Sequence, residues 1–535
     1  MRHLKRYILL LSLPLLYVVS CKDFLEEEAF TSLDPDTFFD DAGAVSALNN
    51  CYLSMLSKDY YRRNWFYINE YVSDAVTTRR PGSDFRGQWD NYRVTPTTSG
   101  VSSVYNAAFI AVNKCNFVLQ ELQQADRVSA DISQRVRGEA LFLRGLNYYN
   151  LVSLYGGVPI VETVAQSLPG YEERPLQSRR AASEVYAFII EDLQAAESLL
   201  PLGYTQTRDI GRATRGAVQA LLAKVYLQRG STPSLGTAED YVQARDWARK
   251  VIEGGQYELI DFEALWGLDV TTKTSNNILN ESNAEIIFDL QRMPIDGMGH
   301  ELSPLIAPRN SGVGHAQWTN FHAELPFFLS YDTADIRRQV TFILEYPSVD
   351  GGEILRFDPN DPLNDNYDDR LDGPAFAKYI DPGSKTNEDS ENNIIVLRYA
   401  DLLLCYAEAL NETDGPGAAL APLNEVVRRA FRATDDRYDY KSADFNGDKE
   451  EFRRILYEER RKELVMEGHG WQDGQRFFSI FKEKVEANSR SDVPGNGKPD
   501  NEITLEEPKN RLLPIPQGVI DNDPAITQED QNPGW

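Results

Sequence analysis

Histidine, cysteine, basic charge and long apolar runs are what this 535-residue chain has least of. Five histidines and four cysteines are present, and no two histidines stand four residues apart as in a zinc-protease helix. The sequence contains no phosphate-binding glycine loop, dinucleotide glycine fingerprint or G-x-S-x-G elbow. Lys and Arg number 55 against 82 Asp and Glu, a net charge of −27. Such a chain repels phosphate backbones, and no basic stripe offsets the repulsion, so nucleic acid is excluded as a partner. The longest apolar stretch near the start covers residues 7–19 and is broken by Pro14. Spanning a bilayer takes about 20 apolar residues, so this stretch is too short.

What the stretch does fit is a processing signal. Arg2, Lys5 and Arg6 precede it, and Val18, Val19 and Ser20 lead to Cys21. That order resembles a bacterial lipoprotein signal, which implies removal of residues 1–20 and lipid attachment at Cys21. Three basic residues leave with the signal, moving the net charge from −27 to −30. Cys51, Cys115 and Cys405 then remain. An odd number is no disulfide framework, and each lies in a helix-like apolar pattern, so each reads as a small buried hydrophobe.

The chain divides into a signal at 1–20, an acidic tether at 21–40 and one body at 41–535. Apolar periodicity predicts helices at 41–57, 101–124, 131–155, 181–200, 213–229, 237–253, 397–411, 417–431 and 449–468. Gly156-Gly157, Pro201, Gly230 and Gly254-Gly255 supply stops. In GAVQALLAKVYLQRG, Ala220, Ala223 and Tyr226 share a face; in the next segment Tyr241, Ala244 and Ala248 do. Small residues admit close helix approach and aromatics fill the flanks, which resembles a tetratricopeptide (TPR) pair. Residues 256–396 are instead rich in Gly, Pro, Asn and Asp, with scattered aromatics and short strand-like pieces such as AEIIFDL and VTFILEY. The expected fold is mainly α. A TPR-like helix-pair scaffold (41–255 and 397–535) carries a large loop-rich region (256–396) with a few short strands. A second loop-rich stretch, 59–100, holds Trp65, Tyr67, Trp89 and Tyr92.

Three charged patterns invite chemistry. His315, His322 and Glu324 lack ligand-like spacing. Asp444, Asn446 and Asp448 alternate like the start of a calcium loop, but position 12 is Ile455 where a bidentate Glu is needed, so a helix-capping turn is favoured over calcium. Glu459, Glu463 and Glu467 fall on one helical stripe, with Arg460, Arg476, Arg398, Arg428 and Arg429 nearby. Carboxylates on one stripe face the same neighbour, not opposite sides of a sugar ring. Interhelical Glu–Arg pairing is therefore expected, and not glycosidase acid–base work.

Several landmarks in order resemble the SusD/RagB family of Bacteroidetes outer-membrane lipoproteins. They are SCKDFLEEE, VYNAAFIAVNKCN, RGEALFLRGLNYYNLVSLYGGVPIV, ATRGAVQALLAKVYLQRG, NNIIVLRYADLLLCYAEALNE, LNEVVRRA, ERRKELVMEGHGWQDGQRF and LLPIPQGVIDNDPAITQEDQNPGW. The resemblance implies a non-enzymatic lipoprotein, without a cofactor, on the outer face of the outer membrane. It would capture glycans and deliver them to a SusC-like TonB-dependent transporter. A peptide-binding RagB-like homologue is the alternative within the family, and a glycoside hydrolase or a purely structural lipoprotein the alternatives outside it. Capture would use aromatic rings against apolar sugar faces, with polar side chains on the hydroxyls. Trp89, Asp90, Asn91 and Tyr92 resemble the family's sugar platform in the first loop region, with Arg86 as a hydroxyl donor. Trp318 and Asn320 make a similar pairing in the second. In the same family the acids behind the lipidated cysteine, here Asp23 and Glu26 to Glu28, resemble a surface-export address.

Overall fold

The structure, a computed structural model, describes residues 39–78, 85–164, 178–276, 283–292, 299–350, 352–360, 373–489 and 503–535. The signal, Cys21, the export acids and most of the tether lie outside the described residues.

Twelve helices carry the argument: α1 (Asp41–Met55), α2 (Asn64–Glu70), α3 (Phe85–Asp90), α4 (Ser99–Gln124), α5 (Ala130–Tyr155), α6 (Ala182–Leu199), α7 (Arg215–Ser231), α8 (Ala238–Gly254), α9 (Tyr399–Thr413), α10 (Pro416–Ala430), α11 (Lys449–Leu464) and α12 (Gly470–Arg476). Their ends follow local chemistry. Asp40 caps α1 by accepting from Ala42 and Gly43 N–H, Thr214 caps α7 through Ala217 N–H, and Gly255 closes α8 in the left-handed conformation. From α4 to α10 each helix packs on the next, and α1 lies against α4 and α5. Ala220, Ala223, Ala244 and Ala248 are all buried where α7 meets α8. The contact between α8 and α9 continues the helical layer across the loop-rich insertion that separates them in sequence. The free thiols of Cys51, Cys115 and Cys405 are buried within it.

Two expected helices differ from their periodicity at one end. The segment expected as helix from 397 begins as a strand, Ile394–Arg398, and turns helical only at Tyr399. Its β-branched start pairs antiparallel with Ile286–Leu290, so tertiary pairing overrides the local pattern. The helix expected to reach 468 stops at Leu464, because Met466 and Gly468 take positive φ and donate their N–H groups to the buried carboxylate of Glu70.

Six strands matter here: β1 (Val76–Thr78), β2 (Ile286–Leu290), β3 (Phe321–Ala323), β4 (Phe342–Ile343), β5 (Ala375–Phe376) and β6 (Ile394–Arg398). One antiparallel sheet has the order β1-β3-β5-β4, and β2 pairs with β6 as a separate ribbon. The sheet joins the two loop-rich stretches, since β1 belongs to the first and β3 to the second. Pairing of Thr78 with Phe321 sets their loops side by side.

The loop-rich region is fixed to the helices by buried ion pairs. Arg398 is fully buried and donates to Glu285, Glu463 and Glu467. Arg429 reaches Glu285 and Glu463, Arg337 reaches Asp335 and Glu459, and Lys378 reaches Glu467. Arg460 and Arg476 share Asp473, and pair separately with Asp401 and Glu408. Of the five arginines expected to meet the Glu stripe, Arg398 and Arg429 do so; Arg460 and Arg476 pair with Asp473, Asp401 and Glu408 instead, and Arg428 faces solvent and pairs with Asp439.

Candidate functional site

A cavity of about 540 Å³ opens where the β1 and β3 loops meet. Its aromatic floor is built in layers. Tyr71 stacks on Phe321 at 4.6 Å between ring centres, and Tyr67 stacks on Tyr71 at 5.5 Å. Phe85 meets Tyr67 edge-on at 5.4 Å. The Tyr71 hydroxyl donates to the Asn320 carbonyl, tying the stack to the neighbouring loop. Above this packed layer two rings reach solvent at the cavity: Trp318, 39% exposed, and Phe85, 40% exposed.

Trp318 owes its position to a constrained backbone. Its N–H donates to the Pro304 carbonyl, and the N–H of Asn320 donates to Leu305. Between them Thr319 adopts φ 45°, where a β-branched residue is strained by about 1–3 kcal/mol. The Thr319 hydroxyl offsets this by donating to the Ala307 carbonyl and accepting from the Arg309 N–H. The tryptophan therefore stands on a pinned loop that also carries Arg309 and Asn320.

The polar wall is a chain of charges. Lys58 bridges Glu301 and Glu388, Arg63 holds the other oxygen of Glu301 at 3.2 Å, and Arg62 holds the other oxygen of Glu388. Its hydrogen bond to Glu388 raises the Lys58 ammonium, and the same bond holds the Glu388 carboxyl below its ordinary value. Arg86, Arg309, Gln317, Asn320 and Asn387 complete the lining. The Oδ1 of Asn387 is buried and has no hydrogen-bond partner among the described residues.

The expected site residues separate. Arg86, Trp318 and Asn320 line the cavity together. Trp89 does not: its ring is fully buried against Gly100, where an added Cβ would come within 2.9 Å of it. Asp90 is buried and accepts from the Thr77 hydroxyl at 3.2 Å. The Asn91 amide donates to the Gly87 carbonyl, and the Tyr92 hydroxyl donates to the Val72 carbonyl. None of these four residues lines the cavity. The short helix α3 explains the split, since Phe85 and Arg86 point to the cavity side while Gly87, Trp89 and Asp90 turn inward. Sequence reading passed over Phe85, although it adjoins Arg86. It also passed over Lys58, Arg63, Glu301, Arg309 and Glu388, which carry no motif and meet only through the fold.

Other expected ligands do different work. Asp448 caps α11 by accepting from Glu450 and Glu451 N–H, and Asp444 accepts from the Lys441 N–H. Asn446 forms the left-handed turn between them. His315 is exposed, whereas His322 is buried on β3 with Nε2 2.9 Å from the Thr319 carbonyl. Among the described residues no three His, Cys, Asp or Glu side chains gather as a metal-ligand set.

Comparison with known proteins decides the family. A profile described as "SusD family" matches residues 315–535, and one described as "Starch-binding associating with outer membrane" matches residues 23–227. This chain belongs to the SusD family. It is 26% identical over 487 residues to SusD-like protein P2 of Formosa agariphila, covering 88% of this chain and 91% of that one. It is 26% identical over 199 residues to the starch-binding protein SusD of Bacteroides thetaiotaomicron, 37% of this chain and 33% of that one. The crystal structure of a SusD homolog from the same organism superposes with a TM-score of 0.80 at 22% identity, covering 95% and 100% of the two chains. In this SusD-family chain the cavity lies at the junction of the two loop-rich stretches. Among the described residues no helix is long and apolar enough to cross a membrane.

Proposed function

We propose that this SusD-family chain is a surface lipoprotein that captures oligosaccharides in the Trp318 cavity and passes them to a SusC-like TonB-dependent transporter. The observation that carries the reading is an exposed tryptophan, fixed on a pinned loop, inside a cavity lined by amides and guanidinium groups. A sugar offers an apolar face to such a ring and hydroxyls to the rim. Anchoring at Cys21 rests on the order of charged, apolar and small residues in the leader, and export on the resemblance of Asp23 and Glu26 to Glu28 to the family's surface-export acids. The profile that matches residues 23–227 likewise describes proteins that associate with the outer membrane.

Binding is favoured over hydrolysis by the cations held on the two cavity carboxylates. A glycosidase needs one carboxyl held protonated as the acid. Here Glu301 and Glu388 share the Lys58 ammonium, and Glu388 is held below its ordinary value. Incubating the purified protein with a panel of polysaccharides tests the reading. Retention of a polysaccharide without release of reducing ends is expected. Released sugar product, or a peptide ligand with no glycan bound, would overturn it.

A further inference from the structure

The cavity's charge contradicts the charge of the chain. Net charge is −27, yet among the described residues four basic side chains line the cavity (Lys58, Arg63, Arg86 and Arg309) against two carboxylates. All four oxygens of those carboxylates already accept from cations: Glu301 from Lys58 and Arg63, Glu388 from Lys58 and Arg62. Their negative charge is neutralised and their acceptor capacity largely spent. Arg309, by contrast, is exposed at the rim and has no carboxylate within ion-pair distance among the described residues. A guanidinium offers five donors and no acceptor. The surface left for a ligand therefore offers the Arg309 guanidinium and the side-chain amides, carries positive charge, and is backed by the Trp318 ring.

A neutral sugar can give its hydroxyl protons here to the side-chain amides of Gln317, Asn320 and Asn387, but gains nothing from the charge of Arg309. A sugar bearing carboxylate or sulfate groups uses it well, because charge-assisted and bidentate bonds to arginine are the strong ones. At physiological salt the Debye length is about 8 Å, so the chain's remote acids are screened while contacts inside the cavity are not. We propose that the ligand of this cavity is an anionic glycan, read by Arg309 while Trp318 takes the sugar face. This rests on the glycan-capture reading above and narrows it to a substrate class.

Matched pairs differing only in charge test it by titration calorimetry at 150 mM salt. One pair is oligogalacturonate and its methyl ester; the other is a sulfated galactan oligosaccharide and its desulfated form. The expected result is that at least one charged member binds about tenfold or more tighter than its neutral partner. Which pair shows the preference identifies carboxylate or sulfate as the group read. Arg309→Gln, at an exposed position, should keep the melting temperature and lose most of that preference. If neutral members bind as well as charged ones, glycan capture stands and the anionic reading falls. The same holds if only an unrelated neutral glucan binds. If no saccharide binds and an acidic peptide does, both fall.

Discussion

Replacing Arg398 by methionine removes the centre of the charged junction between the loop-rich region and the helices. The guanidinium is fully buried and makes hydrogen bonds of 2.6–2.9 Å to Glu285, Glu463 and Glu467. Four cations (Arg337, Lys378, Arg398, Arg429) face five carboxylates (Asp335, Glu285, Glu459, Glu463, Glu467) in this cluster. Arg398→Met leaves three against five. Individual charge-assisted bonds are worth roughly 1.5–3 kcal/mol, but Arg429 and Lys378 still cover part of the deficit. The expected loss is about 3–5 kcal/mol, the usual result of breaking a buried pair from one side. That is a large share of a typical stability of about 5–15 kcal/mol. Urea denaturation followed by tryptophan fluorescence reads it as a lower midpoint. Arg428→Met is the control: that side chain is exposed and pairs only with Asp439, so no measurable shift is expected. Burial pushes the Glu467 carboxyl up, but Arg398 and Lys378 more than offset it and hold it low. The pairing therefore stabilises above the unfolded carboxyl value and is lost as pH falls through the folded one. An Arg398→Met loss below about 1 kcal/mol, or one equal to that of Arg428→Met, would refute the account of this junction.

Burial pushes Glu70 up to about 7, with Arg461 and two backbone N–H groups pulling against it. Its folded value lies above its unfolded one, so stability falls as pH rises from about 4.5 to about 7, by at most ~3 kcal/mol. Thermal melts across this window should show the decline in the native chain and a flatter profile in Glu70→Gln; equal slopes would contradict it. Asp448→Ala should lower stability by about 1 kcal/mol through loss of the α11 cap, with the same melting temperature in calcium and in chelator; a calcium-dependent shift would restore the ion-site reading. Labelling with radioactive palmitate should mark the native chain and not Cys21→Ala. Replacing Asp23 and Glu26 to Glu28 by alanine should keep the label but reduce protease accessibility on whole cells; unchanged accessibility would leave these acids as a plain tether.

The helical scaffold was legible because its signals are local. Apolar periodicity, Gly and Pro stops and small-residue faces placed α4 to α8 within two residues of their ends. The pattern failed where a distant partner decided the outcome. Leu397 and Arg398 read as helix, but they belong to a strand whose partner lies more than a hundred residues earlier. The site was half legible for the same reason. Trp318 and Asn320 sit two residues apart on one loop, so sequence could pair them. Trp89 carries the same residue type, yet the position of Gly100 on α4 draws its ring into the core. Most aromatics of the loop-rich region share that fate. Trp266, Phe328, Tyr331, Phe342 and Phe376 are buried, filling a core that has few regular strands to supply it. The ion-paired charges at the cavity come from residues 58–63, 301 and 388, and only tertiary structure brings them together.

The central claim is that Trp318 is the ring on which a sugar rests. Its exposure of 39%, applied to the roughly 150–250 Å² such a side chain can bury, leaves about 60–100 Å² for a ligand to cover. At about 25 cal/mol per Å² this contributes ~1.5–2.5 kcal/mol, or roughly 10- to 70-fold in Kd. The measurement is titration calorimetry of the best-retained oligosaccharide against the native chain and Trp318→Ala, with melting temperatures recorded for both. The account predicts a loss of affinity in that range with the melting temperature held. Unchanged affinity in a folded Trp318→Ala variant would contradict it.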